Sequence, residues 1–580
     1  MAPNGIPSYR PPATGINHAV SSGNYFATLA GYKMLEEGGN AVDAGVAAGI
    51  AINVTQPHRT SIAGVAPILV YMAEKNEVVS ISGLGRWPKA ATLDYFKTKY
   101  GAIPLGMPRC IVPSAADAWL TALERFGSMT FEQVVGPSIE LADKGFPLTR
   151  EASEDLGMKD SFSKWPYDAT IFTAKGRPLG PFERLVQKDL ARVFKNMVEV
   201  ERASASKGRA GAIHAVRDFF YKGDVAEKMV AFSEKNDGLL TMKDFADFSV
   251  TVEKPCSTSY KDYEVYTSGF WCQGPSIIGI LNLMEQFDLP ALGLNTADYF
   301  HVLLESVKLA FSDRHYFYGD PDFVDVPADG LLSKAYAKER RAMIDMKKAW
   351  PEMPPKGNPW AHQGTNGRNG RRQEASRPLA KAGPRDPDTS YACAVDKWGN
   401  CFSATPSDGV GPTPMVPGLG MIVSSRGTQT WLEEGHPSAL APGKRPRLTP
   451  NPAMAFHKGK LYMPFGTPGG DMQPQGMVQM FLNMVEFGMD PQQAVEEPRA
   501  GSWSHPDSFW PHTYKPGQVE LESRIGKDVA ASLEKRGHKV TWLSDWGYRA
   551  SGLCGIQVDR KKGVLIAAAD PRADSYAVGR

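Results

Sequence analysis

From Asn24 to Glu37 the apolar residues Phe26, Leu29, Ala30, Met34 and Leu35 recur at roughly helical spacing. This predicts a helix, with Gly38 and Gly39 supplying a left-handed exit. The next run, Ala41 to Val54, is almost wholly apolar and holds Asp43 as its one charged residue. It reads as a second helix, buried on all sides. Ala44, Gly45, Ala47, Ala48 and Gly49 keep it slim enough for close packing, although the glycines lower its helix propensity. It is shorter than the ~20 residues that cross a bilayer, so no membrane span is expected. Residues 115 to 350 carry mostly helical patterning, broken by turns such as Gly319-Asp320-Pro321, and predict a helical lobe with some strands.

Between Trp350 and Asp388 the apolar pattern lapses into Pro354-Pro355, Gly357, Gly364, Gly367, Gly370-Arg371-Arg372 and Pro384. A segment with so little to bury cannot offset the entropy of ordering, and a mobile linker is expected there. Beyond it come paired short strands with glycine in the loop between them: Tyr391–Val395 with Cys401–Thr405, Ala453–Phe456 with Leu461–Phe465, and Gly555–Val558 with Val564–Ala568. The carboxyl third is therefore expected to be β-rich and antiparallel. A helix should interrupt it at Asp490-Pro491, a capping residue before a first-turn proline. The chain has no internal repeat.

Composition narrows the function classes. The 580 residues include 65 basic and 63 acidic side chains, a net charge of +2, and 42% hydrophobic residues. Length alone suggests roughly four domains, but large layered sheets run past that as one unit. Balanced charge lacks the field that a general nucleic-acid binder needs, so nucleic acid is not expected as a partner. The six cysteines are scattered without CxxC spacing and predict buried thiols rather than a zinc site or a disulfide framework. The first ten residues show no basic patch leading into an apolar run, and the expected location is cytoplasmic.

The common catalytic templates are missing: no GxSxG elbow, no P-loop, no HExxH, and no GxGxxG after a strand. Gly83-Leu84-Gly85 and Gly418-Leu419-Gly420 read as turns, and the eleven histidines show no paired ligand spacing, so no metal or cofactor is expected. What remains is Asp388-Thr389-Ser390-Tyr391, where the linker meets the first strand of the β-rich part. A threonine there can be merely structural. If the bond before Thr389 were cut, however, one residue would carry both a hydroxyl nucleophile and an α-amine with a pKa near 7.7–8, able to serve as its base. Acyl transfer also needs oxyanion donors, and Thr467-Pro468-Gly469-Gly470 can turn successive N–H groups toward one anion, or be a plain turn.

Taken in order, these passages resemble the γ-glutamyltranspeptidase family of N-terminal nucleophile hydrolases, from about Ala13 to the carboxyl end. Those carrying the resemblance are Glu36-Glu37-Gly38-Gly39-Asn40-Ala41-Val42-Asp43-Ala44, Asp313-Arg314 with Gly319-Asp320-Pro321-Asp322-Phe323, Asp388-Thr389-Ser390-Tyr391, Gly443-Lys444-Arg445-Pro446, Thr467-Pro468-Gly469-Gly470 and Ala569-Asp570-Pro571-Arg572. The resemblance implies an α+β fold, a four-layer αββα sandwich with a helical lobe. It also implies a precursor that cuts itself between Asp388 and Thr389. The products would be a large chain, 1–388, and a small chain, 389–580, associated as a heterodimer, with further assembly left open. Thr389 would attack an amide, Gly469 and Gly470 would hold the oxyanion, and Ser407 would orient and activate the nucleophile.

The departures from the family bear on substrate. By alignment, Leu93 replaces the arginine that grips the glutamyl α-carboxylate, and Gly409 stands where asparagine is usual. Arg426 replaces a glutamine, Gln429 replaces the acid that binds the α-ammonium, and Leu448 and Thr449 replace a serine pair. The lid loop is shorter. Ser425-Arg426-Gly427, His436-Pro437 and Gly443-Lys444-Arg445-Pro446 resemble a short-lid branch that includes oxamate amidohydrolase and some cephalosporin acylases. The implied activity is hydrolysis of a small amide whose acyl group carries a carboxylate but no α-amine, with Arg426, Gln429, Thr449 and Arg86 as candidate substrate contacts. Alternatively, Arg426 pairs with a nearby acid and touches no ligand. Two other readings stay open, a γ-glutamyl hydrolase or transferase and an unprocessed, non-enzymatic relative.

Overall fold

The computed structural model describes residues 8–157, 164–364, 375–376, 388–549 and 551–580. Asn24 caps the first helix, Tyr25–Glu36, by accepting the Phe26 amide. Asn40 and Asp43 form a reciprocal capping box on the second, Ala41–Thr55, and every residue of that helix is buried. Its glycines allow the burial. A β-carbon at Gly45 would lie 2.0 Å from the Phe402 ring, and one at Gly49 would lie 2.4 Å from Trp119.

Two seven-stranded sheets, antiparallel throughout, form the centre. One runs in the order Ala13–Gly15, Val564–Ala569, Cys554–Asp559, Lys460–Gly466, Ala453–His457, Tyr263–Thr267, Cys256–Tyr260. The other runs Tyr576–Gly579, Ala19–Ser22, Ala392–Val395, Cys401–Ala404, Ile68–Met72, Glu77–Ile81, Val252–Glu253. Each takes strands from both sides of residue 388.

Side-chain alternation along these strands assigns the layers. Ala392, Ala394, Phe402 and Ala404 face outward to a helical core containing Val46, Ile50 and Trp119. Their neighbours Cys393, Val395 and Cys401 face inward and meet Met454, Phe456, Ile556 and Ala567 of the other sheet. That sheet's far face, with Val265, Ala455, Met463 and Phe465, packs on helices Pro275–Met284, Ala297–Phe317 and Gln473–Val485. The result is helix on sheet on sheet on helix, the four-layer αββα sandwich of an α+β protein.

The three expected hairpins occur at Ala392–Val395 with Cys401–Ala404, Ala453–His457 with Lys460–Gly466, and Cys554–Asp559 with Val564–Ala569. Asp490 caps the expected helix, Pro491–Glu496, through a box with Gln493. Helices Gln473–Val485 and Lys527–Lys535 were not foreseen. Pro474 and Gly476 obscure the start of the first, although proline in a first turn is tolerated. Most of the linker expected between about 350 and 388 lies outside the described residues; within its described part, Pro359–His362 form a short 3-10 turn. All six cysteines are free thiols, five of them buried. Among the described residues no helix is long and apolar enough to cross a membrane.

The contact between the second helix and Phe402 is testable. Gly45→Leu forces a side chain into that ring and should cost about 1–3 kcal/mol. The expected readout is a lower urea midpoint at unchanged m-value; an unchanged midpoint would mean that the helix stands off the sheet.

Candidate active site

Strand register brings the first two catalytic candidates together. Ala392 pairs with Ala404, and the Ser390 amide continues the ladder by donating to the Pro406 carbonyl at 2.9 Å. One residue further on, Thr389 stands opposite Ser407. Their hydroxyl oxygens are 2.8 Å apart, and both side chains are buried. The Ser407 N–H donates to the Val65 carbonyl at 2.9 Å, which anchors this corner to the neighbouring strand connection. Thr389 Oγ contacts the carbonyl oxygen of Asp388, to which Ser407 Oγ also donates at 3.1 Å. The threonine hydroxyl lies against the carbonyl it would attack.

Arg426 reaches the same corner. Its Nη2 donates to Asp388 Oδ1 at 2.7 Å and to Ser407 Oγ, and its Nε lies 3.2 Å from Asp408 Oδ1. Arg426 and Asp408 have no solvent exposure. Burial alone would lower the Arg426 pKa, but the Asp388 and Asp408 carboxylates reverse this and raise it overall. Burial pushes the Asp408 carboxyl up, and Arg426 opposes that shift. Asp408 is held by Ser424 Oγ at 2.7 Å and by the Ser425 amide and hydroxyl at 3.1 and 2.9 Å. The backbone of Asp408 has φ of 86°, an uncommon conformation for a residue with a side chain. The next amide, Gly409 N–H, donates to Asp388 Oδ2 at 3.1 Å. Arg426 thus pairs with two acids, Asp388 and Asp408, and Asp388 immediately precedes Thr389.

Gly469 and Gly470 follow strand Lys460–Gly466 with φ of 122° and 56°. They line a cavity of about 220 Å³ that is also lined by Asp388, Gly409, Ser425, Thr428, Trp503, Phe509 and Trp510. The large-chain segment supports this loop. Gln273 Nε2 donates to the carbonyls of Gly470 and Thr449 at 2.8 and 2.9 Å. Arg314 Nη1 donates to Asp471 Oδ1 at 2.5 Å and to Gln273 Oε1 at 2.8 Å. The Ser508 amide and hydroxyl complete the Asp471 carboxylate at 2.9 and 2.6 Å.

Of the other candidate contacts, Gln429 donates to Thr449 Oγ at 2.8 Å, and this buried pair, like Arg426, is not among the residues lining the cavity. Arg86 is drawn away from the site: it pairs with Asp322 at 2.9 Å and with Asp320 at 3.7 Å, and it borders a separate cleft with Lys89 and Gly443. Residues not singled out from sequence are Asp408, Asp471, Gln273 and the aromatic wall of Trp503, Phe509 and Trp510. Asp408 follows Ser407 and Asp471 follows Gly470, but neither position marks its distant partner; Trp503 to Tyr514 packs aromatics into an otherwise polar loop.

One group of buried side chains elsewhere offers three metal-type ligand atoms, on His301, Glu305 and His538. Protein partners already engage it. His301 Nδ1 is 2.9 Å from His538 Nε2, and Glu305 accepts from Lys308 at 2.7 Å and from the Trp350 amide at 3.1 Å.

The sequence matches the gamma-glutamyltranspeptidase family over residues 27–580. It is 32% identical over 570 residues to the glutathione hydrolase-like YwrD proenzyme of Bacillus subtilis, covering 97% of this chain and 99% of that one. It is 30% identical over 582 residues to the acylase ACY 1 proenzyme of a Pseudomonas species, covering 98% and 94%. The fold superposes on the crystal structure of cephalosporin acylase from Bacillus halodurans with a TM-score of 0.84 at 27% identity, covering 100% of this chain and 99% of that one.

The support beneath the glycine loop yields a prediction. Arg314→Met leaves the Asp471 carboxylate buried without its guanidinium, at a cost of about 3–5 kcal/mol. The expected result is a large drop in thermal midpoint; an unchanged midpoint would show that the ion pair does not hold the loop.

Proposed function

This chain belongs to the γ-glutamyltranspeptidase family, and from that membership we propose an amide hydrolase that makes its own nucleophile by cutting before Thr389 and that prefers an acidic acyl group without an α-amine. Amide-bond hydrolysis is the chemistry of the family. The finer reading rests on one observation above all: the Asp388 carboxylate is held by Arg426 and by the Gly409 amide while its carbonyl touches Thr389 Oγ.

In the first cycle Thr389 Oγ adds to the Asp388 carbonyl. Ser407 polarises that carbonyl and sits within reach of the nucleophile's proton. An Oγ–C ester bond forms, the C–N bond breaks, and the freed threonine amine keeps the proton. Water then hydrolyses the ester, leaving Asp388 as a new carboxyl terminus and Thr389 as a new amino terminus. In later cycles the amine takes the hydroxyl proton, the hydroxyl attacks a substrate amide, and the proton passes to the leaving amine. The Gly469 and Gly470 N–H groups stabilise the oxyanion from the cavity wall. Water resolves the acyl-enzyme. Residues 1–388 and 389–580 would stay together, because both sheets interleave strands from the two segments.

The choice against γ-glutamyl substrates follows from charge. Gln429, aligned with the ammonium-binding acid, is neutral and bonded to Thr449, whereas Arg426 adds a guanidinium at the acyl end.

Purified protein should run as two fragments under denaturing conditions, the smaller starting at Thr389, and Thr389→Ala should remain one inactive chain. Fully active wild-type protein that stays uncut would overturn the mechanism. Hydrolysis by the mature form should rise with pH through roughly 7.7–8 and then level off, because the free amine must be unprotonated to act as base. A falling profile across that range excludes the amine. A glutaryl anilide should exceed the matching γ-glutamyl anilide in kcat/KM, and the reverse order would restore the transpeptidase-type substrate.

A further inference from the structure

The residue whose carbonyl Thr389 attacks is also the residue whose carboxylate Arg426 holds, and this measures the site. In the uncut chain the acyl group presented to Thr389 Oγ is aspartyl: the reacting carbonyl carbon, Cα, Cβ and the carboxylate carbon form a four-carbon unit. Both carboxylate oxygens are bound, Oδ1 by Arg426 Nη2 at 2.7 Å and Oδ2 by the Gly409 amide at 3.1 Å.

Neither end of this span can shift freely. Thr389 is fixed by the strand ladder. Arg426 is fully buried, clamped from behind by Asp408 and covered by Phe509, whose ring centroid is 5.3 Å from the guanidinium carbon. Gly409 lies so close to the His58 carbonyl oxygen that an added β-carbon would be 1.9 Å from it. Arg426 Nη1 has no hydrogen-bond partner among the described residues, so the guanidinium retains a donor for a second carboxylate oxygen.

We propose that the mature site selects amides of four-carbon dicarboxylic acids, the succinyl class, whose carboxylate takes the place that Asp388 holds before cleavage. The proposal rests on the amidohydrolase reading above and adds acyl length to it. A two-carbon oxamyl group falls short of Arg426, and a five-carbon glutaryl group must buckle between two fixed ends. Turnover follows the same balance as before: the amide C–N bond gives way to an Oγ–C ester, the hydroxyl proton leaves with the amine, and water releases succinate and restores Thr389.

The test uses self-cleaved protein and the monoanilides of oxalate, malonate, succinate and glutarate, with butyranilide as the uncharged control. The succinyl compound should have the highest kcat/KM, by about tenfold or more, the range that one misplaced methylene commands. Arg426→Met should lower succinyl kcat/KM about 100-fold more than it lowers butyranilide kcat/KM, the size of loss expected for a truncated buried charge pair. A maximum at another length, or an equal loss on butyranilide, overturns the proposal. If no anilide is hydrolysed, the amidohydrolase reading fails, and calorimetry on the same protein still reads length: tighter binding of the succinyl than of the glutaryl anilide supports it, and equal or reversed affinity overturns it. In the precursor, Asp388→Glu should slow self-cleavage at least about tenfold by the same geometry, and an unchanged rate counts against it.

Discussion

A guanidinium with no access to water must be matched by carboxylates, and the pairing of Arg426 organises the site around it. Removing such a charge from water is costly unless its N–H groups find acceptors. Here the acceptors are Asp408 and Asp388, the residue just before Thr389. Because Asp388 is drawn in, its carbonyl is drawn in with it and lies beside the Thr389 and Ser407 hydroxyls. Positive φ at Asp408 aims the next amide at the same carboxylate. Electrostatics, backbone conformation and the attack geometry therefore share one cause.

The sandwich supplies the rigidity that this arrangement needs. Thr389 and Ser407 meet because a hairpin register runs past its last regular pair, and a slip of one residue would turn one of the two hydroxyls to the other face. The glycine loop is reached differently. It ends strand Lys460–Gly466 of the other sheet and opens helix Gln473–Val485, with Gln273 and Arg314 from the same helical layer bracing it. The cavity thus lies where two sheets and one helical layer converge, and its aromatic wall comes from the loop after the Ala500–Ser502 strand.

Much of this was legible in the chain. The helices at 25 and 41, the three hairpins and the cap at Asp490 declare themselves through local signals: a capping side chain, a glycine turn, a change of apolar period. Thr389, Gly469 and Gly470 stand out as candidates because a threonine at a strand start and successive glycines after a strand suit acyl transfer when they occur together. Arg86 looks like an anion contact from its place near the family motifs, and only the fold shows Asp320 and Asp322 beside it. Asp408, Asp471 and Gln273 act through partners more than 10 residues away in sequence, or through both sheets at once, and no local pattern reports such contacts. Helix Gln473–Val485 was hidden by its own proline and glycine, which sit where a first turn accepts them.

Because each sheet is woven from strands on either side of residue 388, opening that one bond removes no hydrogen bond of either ladder, yet it changes what unfolding means. An intact chain unfolds and refolds as a single molecule, at a cost independent of how dilute it is. A nicked one, once melted, must find its other half by diffusion, so its midpoint becomes concentration-dependent. Each orphaned piece would meanwhile expose unpaired strand edges prone to self-association. A cut there would accordingly be a one-way step, turning an equilibrium fold into one preserved by slow escape.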